Sequence, residues 1–214
     1  MSTREDDGGR FALPRGLLDR LRADPVRAPE HLALVAAEIH GPAAQRWVSA
    51  HSGEQPDELA RMAKSRHASL SRYAGAITGL GGWMTILPDL AGLAWLQSRL
   101  VFFIAAAHGH DPTDPIRPAE LLVLQELYDD PRDAREALDG TGRRLATALV
   151  TRRLTGRRGK DRSAVRRLAQ MAGKRVGTRL GGRMIPGFAA FFNAVVNERD
   201  TRALADRAID FYRP

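Results

Sequence analysis

Apolar residues recur every three or four positions through most of this chain, the spacing of one face of an α-helix. Leu32, Val35, Ala36 and Ile39 form one such stripe; Leu59, Met62, Ala63, Leu70, Tyr73 and Ile77 form another. No stretch alternates β-branched or aromatic residues with polar ones, so no strands are expected. Proline and glycine punctuate the pattern. Pro14 opens a short helix, and Pro29 opens one predicted to run to His40, where Gly41-Pro42 ends it. A second short helix over 42–50 would carry Trp47 inward, and Pro56 starts a long helix to about residue 78. Asp114-Pro115 and Asp130-Pro131 share one form: aspartate caps free N–H groups and proline takes the first turn. They predict helices over 115–128 and 131–156. Beyond Gly156 and Gly159, residues 161–180 carry Val165, Leu168, Ala172, Val176 and Leu180 on one stripe, and a last, bent helix is predicted over 186–212. The sum is an all-α protein of about eight or nine helices in a compact bundle. Residues 1–10 are polar, contain Gly8-Gly9 and are expected to be disordered; 11–214 read as one domain.

Two apolar segments stand apart. Residues 73–98 carry one formal charge, Asp89, around Gly79-Leu80-Gly81-Gly82 and Leu87-Pro88. Residues 90–107 are apolar almost all round, broken only by Gln97, Ser98 and Arg99. A helix apolar on every side is buried in protein or in a membrane. A span needs about twenty unbroken apolar residues, and Gly81-Gly82, Pro88, Asp89 and Arg99 interrupt this run. A central apolar helical hairpin with Gly–Pro bends is therefore the first reading; a re-entrant or interfacial insertion is the alternative. The second segment, Leu180-Gly181-Gly182-Arg183-Met184-Ile185-Pro186, echoes the first.

Composition narrows the classes of function. The chain has 214 residues, 43% of them apolar and 27% charged, the ordinary globular mix. It has no cysteine, which excludes disulfides, thiol nucleophiles and Cys-ligated metal. No hydrophobic secretory stretch follows Met1, so the cytoplasm is the expected location.

Charge is far from even. Residues 143–183 hold 14 basic side chains against one acid, Asp161, while the rest of the chain carries a net charge of −5. Arg152, Arg153, Arg157, Arg158, Arg162, Arg166, Arg167, Lys174 and Arg175 make the candidate anion- or lipid-binding set. A solvated basic face is the plain alternative. Nucleic acid suits this arm less well, because 143–187 contains no Phe, Tyr or Trp to stack on bases and no recognition-helix turn.

Candidate chemistry is sparse. GxSxG, SxxK and GxxxxGK(S/T) are absent. His108, His110, Asp111 and Asp114 offer nitrogen and oxygen ligands, but both aspartates precede proline and read as turn and cap residues; no metal or other cofactor is assigned. Asp89, Arg99, Asn193 and Asn197 are polar groups inside apolar runs. Buried polar atoms need partners, so these four are expected to form a satisfied internal network rather than a catalytic set.

The segments Gly79-Leu80-Gly81-Gly82, Leu87-Pro88-Asp89-Leu90-Ala91, Trp95-Leu96-Gln97-Ser98-Arg99 and Gly109-His110-Asp111-Pro112-Thr113-Asp114-Pro115 resemble those of bacterial EcsC-family proteins. So do Arg183-Met184-Ile185-Pro186-Gly187, Asn193, Asn197 and the closing Ala208-Ile209-Asp210-Phe211-Tyr212. The resemblance covers about 42–212. The family takes its name from a protein encoded beside an ABC transporter, and the resemblance implies no catalytic residues. The resulting expectation is a non-enzymatic helical protein, peripheral at the cytoplasmic membrane face, with an anionic membrane surface or a membrane protein as partner. Nucleic-acid binding by the arm, or an enzyme using Asp89 or the His108/His110 loop, are the alternatives.

Overall fold

A computed structural model describes residues 13–24, 27–77, 83–140 and 198–214, with backbone alone at 72–77, 83–90 and 198. Every regular element among these residues is an α-helix. They are α1 (Leu17–Ala23), α2 (Ala28–Ser49), α3 (Pro56–Ile77), α4 (Trp83–Ala107), α5 (Arg117–Leu124), α6 (Pro131–Leu138) and α7 (Glu198–Tyr212). The basic arm, the second Gly–Pro segment, the expected helix over 161–180 and residues 1–10 lie outside the described residues.

The C-terminal two thirds of α4 is the axis of the bundle. Leu93, Leu96, Leu100, Phe102 and Ile104 are buried in one cluster with Leu32, Leu121, Leu122 and Leu204. Helices α2, α3 and α7 pack directly around α4, while α5 and α6 pack on each other and on α2. Burying each such Leu or Phe contributes about 1.5–3 kcal/mol. The run that reads as apolar all round is thus core over 91–107. Ile86, Leu90 and Asp89 fall where only backbone is described. Among the described residues, no helix is long and apolar enough to cross a membrane.

The polar interruptions of α4 are satisfied inside the bundle. Ser98 Oγ donates to the Ala94 carbonyl at 2.8 Å, and Gln97 Nε2 donates to Thr201 Oγ1 on α7 at 3.1 Å. Buried polar groups without such bonds would cost more than the packing around them returns.

The predicted break at Gly41-Pro42 does not occur: α2 runs through it to Ser49. Pro42 has no N–H for the Glu38 carbonyl, so one helical bond is missing. Packing of Ala33, Ala36, His40 and Ala44 into the core offsets that loss. Gly41 has a different task. A Cβ on it would lie 2.7 Å from the Pro112 carbonyl oxygen. Only glycine lets α2 approach the 111–113 turn so closely. Two predicted core residues are also misplaced. Ile39 is 44% exposed and Met62 41% exposed, because the buried face of α2 runs through Ala33 and His40 instead, and that of α3 through Leu59, Ala60, Ala63, His67 and Ala68.

The aspartate–proline signals set local starts but not helix lengths. Asp130 accepts the Arg132 N–H at 2.6 Å and Pro131 opens α6. Asp114 accepts the Ile116 N–H at 2.9 Å, but this closes a turn, and α5 begins only at Arg117. Helix α5 stops at Leu124 and α6 at Leu138, both short of the predicted 128 and 156. After α5, Glu126 adopts φ 59°, and after α6, Gly140 adopts φ 79°. Left-handed residues end helices by turning the chain back on its last carbonyls. Arg27 Nη2 then donates to the Ala137 carbonyl at 3.1 Å and the Leu138 carbonyl at 3.4 Å, fastening the end of α6 to the start of α2.

Candidate functional site

In the loop over 108–116, Asp111, Asp114 and His110 bond to protein groups, while the buried His108 Nε2 has no hydrogen-bond partner among the described residues. Asp111 Oδ1 accepts the Thr113 N–H at 2.8 Å and its hydroxyl at 2.7 Å, which holds this exposed carboxyl below its ordinary pKa. His110 Nε2–H donates to the Tyr212 carbonyl at 2.9 Å. His108 is pulled below its usual pKa, chiefly by burial; Asp57 opposes this, and Arg213 and His110 add to it. Among the described residues, no three His, Asp or Glu side chains converge to hold a metal ion.

The same loop starts a buried polar chain. Arg117 Nε donates to the Asp111 carbonyl at 2.8 Å, and its Nη1 pairs with Glu120 Oε2. Tyr212 Oη donates to that same Glu120 oxygen at 2.8 Å. Burial works against the charge of Arg117, but the hydrogen bond and charge of Glu120, with Tyr212, outweigh it and raise its pKa. Burial and then Glu120 push the Tyr212 phenol up. Two segments far apart in sequence, 108–117 and the end of α7, are thereby locked together.

A second buried acid lies at the other end of α2. Tyr128 Oη donates to Glu30 Oε1 at 2.5 Å. Burial first raises the Glu30 carboxyl, and the tyrosine bond only partly opposes it; burial and Glu30 together raise Tyr128. Both side chains are buried, and Glu30 Oε2 has no hydrogen-bond partner among the described residues.

A cleft of about 360 Å³ lies between α2, α3 and α4. Its apolar surfaces come from Trp47, Met62, Leu70 and Phe103, and its basic groups from His51, Arg66, His67 and Arg99. Trp47 and Phe103 lie with ring centroids 5.1 Å apart. The Arg99 guanidinium sits over the Phe103 ring, 4.6 Å from its centroid. His67 Nδ1–H donates to the Ala63 carbonyl at 2.7 Å, and its ring meets Phe103 edge-on at 5.7 Å. His51 Nδ1–H donates to the Trp47 carbonyl at 2.8 Å.

His40 is 2% exposed and packs against Trp95, with ring centroids 4.1 Å apart and planes tilted by 49°. Burial, then Arg99 and His67, pull its pKa down to about 3. The Trp95 backbone favours the protonated ring only weakly and falls short of a hydrogen bond, so among the described residues neither ring nitrogen has such a partner.

The family model of the EcsC protein family matches residues 38–214. The chain belongs to the EcsC protein family. No curated protein and no solved structure matches it. The EcsC match begins inside α2, so α1 and the first part of α2 are packed on the EcsC region without being part of the match.

Of the four polar residues singled out by sequence, the side chain of Arg99 alone is described; it lines the cleft and lies over the Phe103 ring. The side chains of Asp89, Asn193 and Asn197, and all nine basic residues of the arm set, lie outside the described residues. Sequence reading missed the cleft. Its only sequence signal is that Met62, Arg66, Ser69 and Leu70 share a helix face with Ala63, where a basic group interrupts a core stripe.

Proposed function

We propose that this EcsC-family protein is a non-enzymatic peripheral protein of the cytoplasmic membrane face, held there by its basic arm. The observation that carries this reading is charge segregation. Residues 143–183 carry 14 basic side chains and one acid, while the remainder is net acidic. Clustered arginine beside an anionic leaflet contributes about 1 kcal/mol per residue. The packing of 91–107 into a protein core supports a peripheral mode of attachment over a spanning one.

The test is vesicle flotation. The parent should float with phosphatidylglycerol/phosphatidylcholine vesicles at about 0.15 M salt, a concentration that screens charges beyond about 8 Å. Replacing Arg157, Arg158, Arg166 and Arg167 with Gln should release it, with the helical circular dichroism signal unchanged. A parallel duplex DNA titration provides the competing outcome. Binding to DNA with a salt slope of about −0.9 per neutralised phosphate, without flotation, would replace the membrane reading with a nucleic-acid one.

A further inference from the structure

His40 is a polar ring in an apolar core. It is buried, and neither ring nitrogen has a hydrogen-bond partner among the described residues. Its ring packs against Trp95 and Phe102 of α4, with centroids 4.1 and 6.5 Å away. A neutral imidazole is tolerated there. An imidazolium would carry two N–H donors without acceptors and a charge taken out of water. Burial is the first cause that keeps the ring neutral, with its pKa at about 3. Arg99 from α4 and His67 from α3 act in the same direction, and both have contacts of their own. Among the described residues, no charge on α1, α5 or α6, the other helices packed on α2, acts on His40.

The seam around this ring is weakly held. From Ala33 to Ala44 the buried residues of α2 are Ala33, Ala36, His40, Gly41 and Ala44, and such small side chains each remove little apolar area from water. Pro42 leaves the Glu38 carbonyl without its helical N–H, so the backbone is weakened in the same turn. The start of α2 is fastened separately, by Tyr128 on Glu30 and by Arg27 on the last carbonyls of α6. Burial raises the Glu30 carboxyl, so acid favours its protonated, docked form and strengthens that end. Other bonds join the body of the bundle without α2: Gln97 of α4 to Thr201 of α7, and Tyr212 of α7 to Glu120 of α5.

We propose that the His40 turn is an acid-operated latch: proton uptake by His40 opens the seam between residues 33–49 of α2 and α4 and exposes Trp95 and Phe102, while the start of α2 and the rest of the bundle stay folded. In the open turn the imidazole meets water and titrates near its ordinary value of 6.5; in the closed turn it stays neutral to about pH 3. Below pH 6.5 the proton therefore binds the open form in preference and holds it open. Between pH 7 and pH 5 these two values raise the opening constant about 25-fold. The latch involves no residue of the basic arm, so it is independent of the membrane reading above.

The test is amide hydrogen exchange of the full chain, followed by mass spectrometry at pH 7 and pH 5, with each rate corrected for the intrinsic pH dependence of amide exchange. Protection of the amides over 33–49 should fall about 25-fold at the lower pH, while that of α7 changes by less than about threefold. His40→Leu, which removes the titrating ring, should abolish the fall. His40→Gln, polar but without a proton to gain, should do the same and serves if the leucine variant fails to fold. His67→Gln should keep the fall, because the latch is His40. An equal loss of protection in α7 would mean global unfolding and overturn the proposal. So would a fall that persists in both His40 variants, a fall that disappears in His67→Gln, or unchanged protection over 33–49 in the parent.

Discussion

Tyr212, in the last turn of α7, donates its hydroxyl to Glu120 in the first turn of α5 at 2.8 Å, across 92 residues of sequence. Glu120 also pairs with Arg117, and the Tyr212 carbonyl accepts from His110. The two ends of one tyrosine thus bind the loop before α5 and the helix itself.

Removing either end of this lock should loosen the end of the chain. Tyr212→Phe loses one hydrogen bond to a buried charged group and should destabilise by about 1.5–3 kcal/mol. Arg117→Met leaves the Glu120 carboxylate without its cation and should cost more, about 3–5 kcal/mol. Thermal melts of both variants check the order. Equal melting temperatures for Arg117→Met and the parent would show that the pair contributes nothing.

Gly41→Ala presents two opposing effects. Alanine in a helix interior is favoured over glycine by about 0.5–1 kcal/mol. The new methyl, however, would sit 2.7 Å from the Pro112 carbonyl, a backbone atom that cannot swing aside. Overpacking of this kind costs about 1–3 kcal/mol, so the variant should melt below the parent. A rise in melting temperature would mean that α2 and the 111–113 turn separate freely.

Leu93→Ala separates core from anchor. Leu93 is buried against the α4 neighbours, and truncation should cost about 2–5 kcal/mol by denaturant titration. Flotation of the folded fraction should be unchanged. A variant as stable as the parent that no longer floats would make α4 a membrane element.

His40 predicts a pH limb. Its folded pKa of about 3 lies below the unfolded value of 6.5. The unfolded chain therefore binds the proton first as pH falls, and stability, complete above 6.5, declines progressively toward pH 3. This one group should remove about 2 kcal/mol between pH 7 and pH 5. His40→Leu should flatten that part of the stability profile, measured by urea titration at each pH. An identical slope in the variant would assign the limb to other groups.

Helix as the sole regular element among the described residues, the bounds of α3, the burial of 91–107 and the cap at Asp130 were all legible from the chain, because each depends on neighbours within one or two turns. Period decides which class of element forms, and a capping aspartate acts on an N–H two residues away. What lay beyond the chain's local grammar was meaning set by distant partners. Gly41-Pro42 has the form of a helix break, yet the Pro112 carbonyl facing it makes the glycine a point of close approach. His110 has the form of a metal ligand, yet its Nε2–H donates to the Tyr212 carbonyl. Arg99 meets Phe103, four residues on in the same helix, as a local neighbour, but only the packing of α4 against α2 and α3 sets the pair at the edge of a cleft. Local sequence selects backbone conformation through short-range sterics and capping, whereas the role of a glycine, a histidine or an arginine is decided by whichever atoms the tertiary fold brings within a few ångströms.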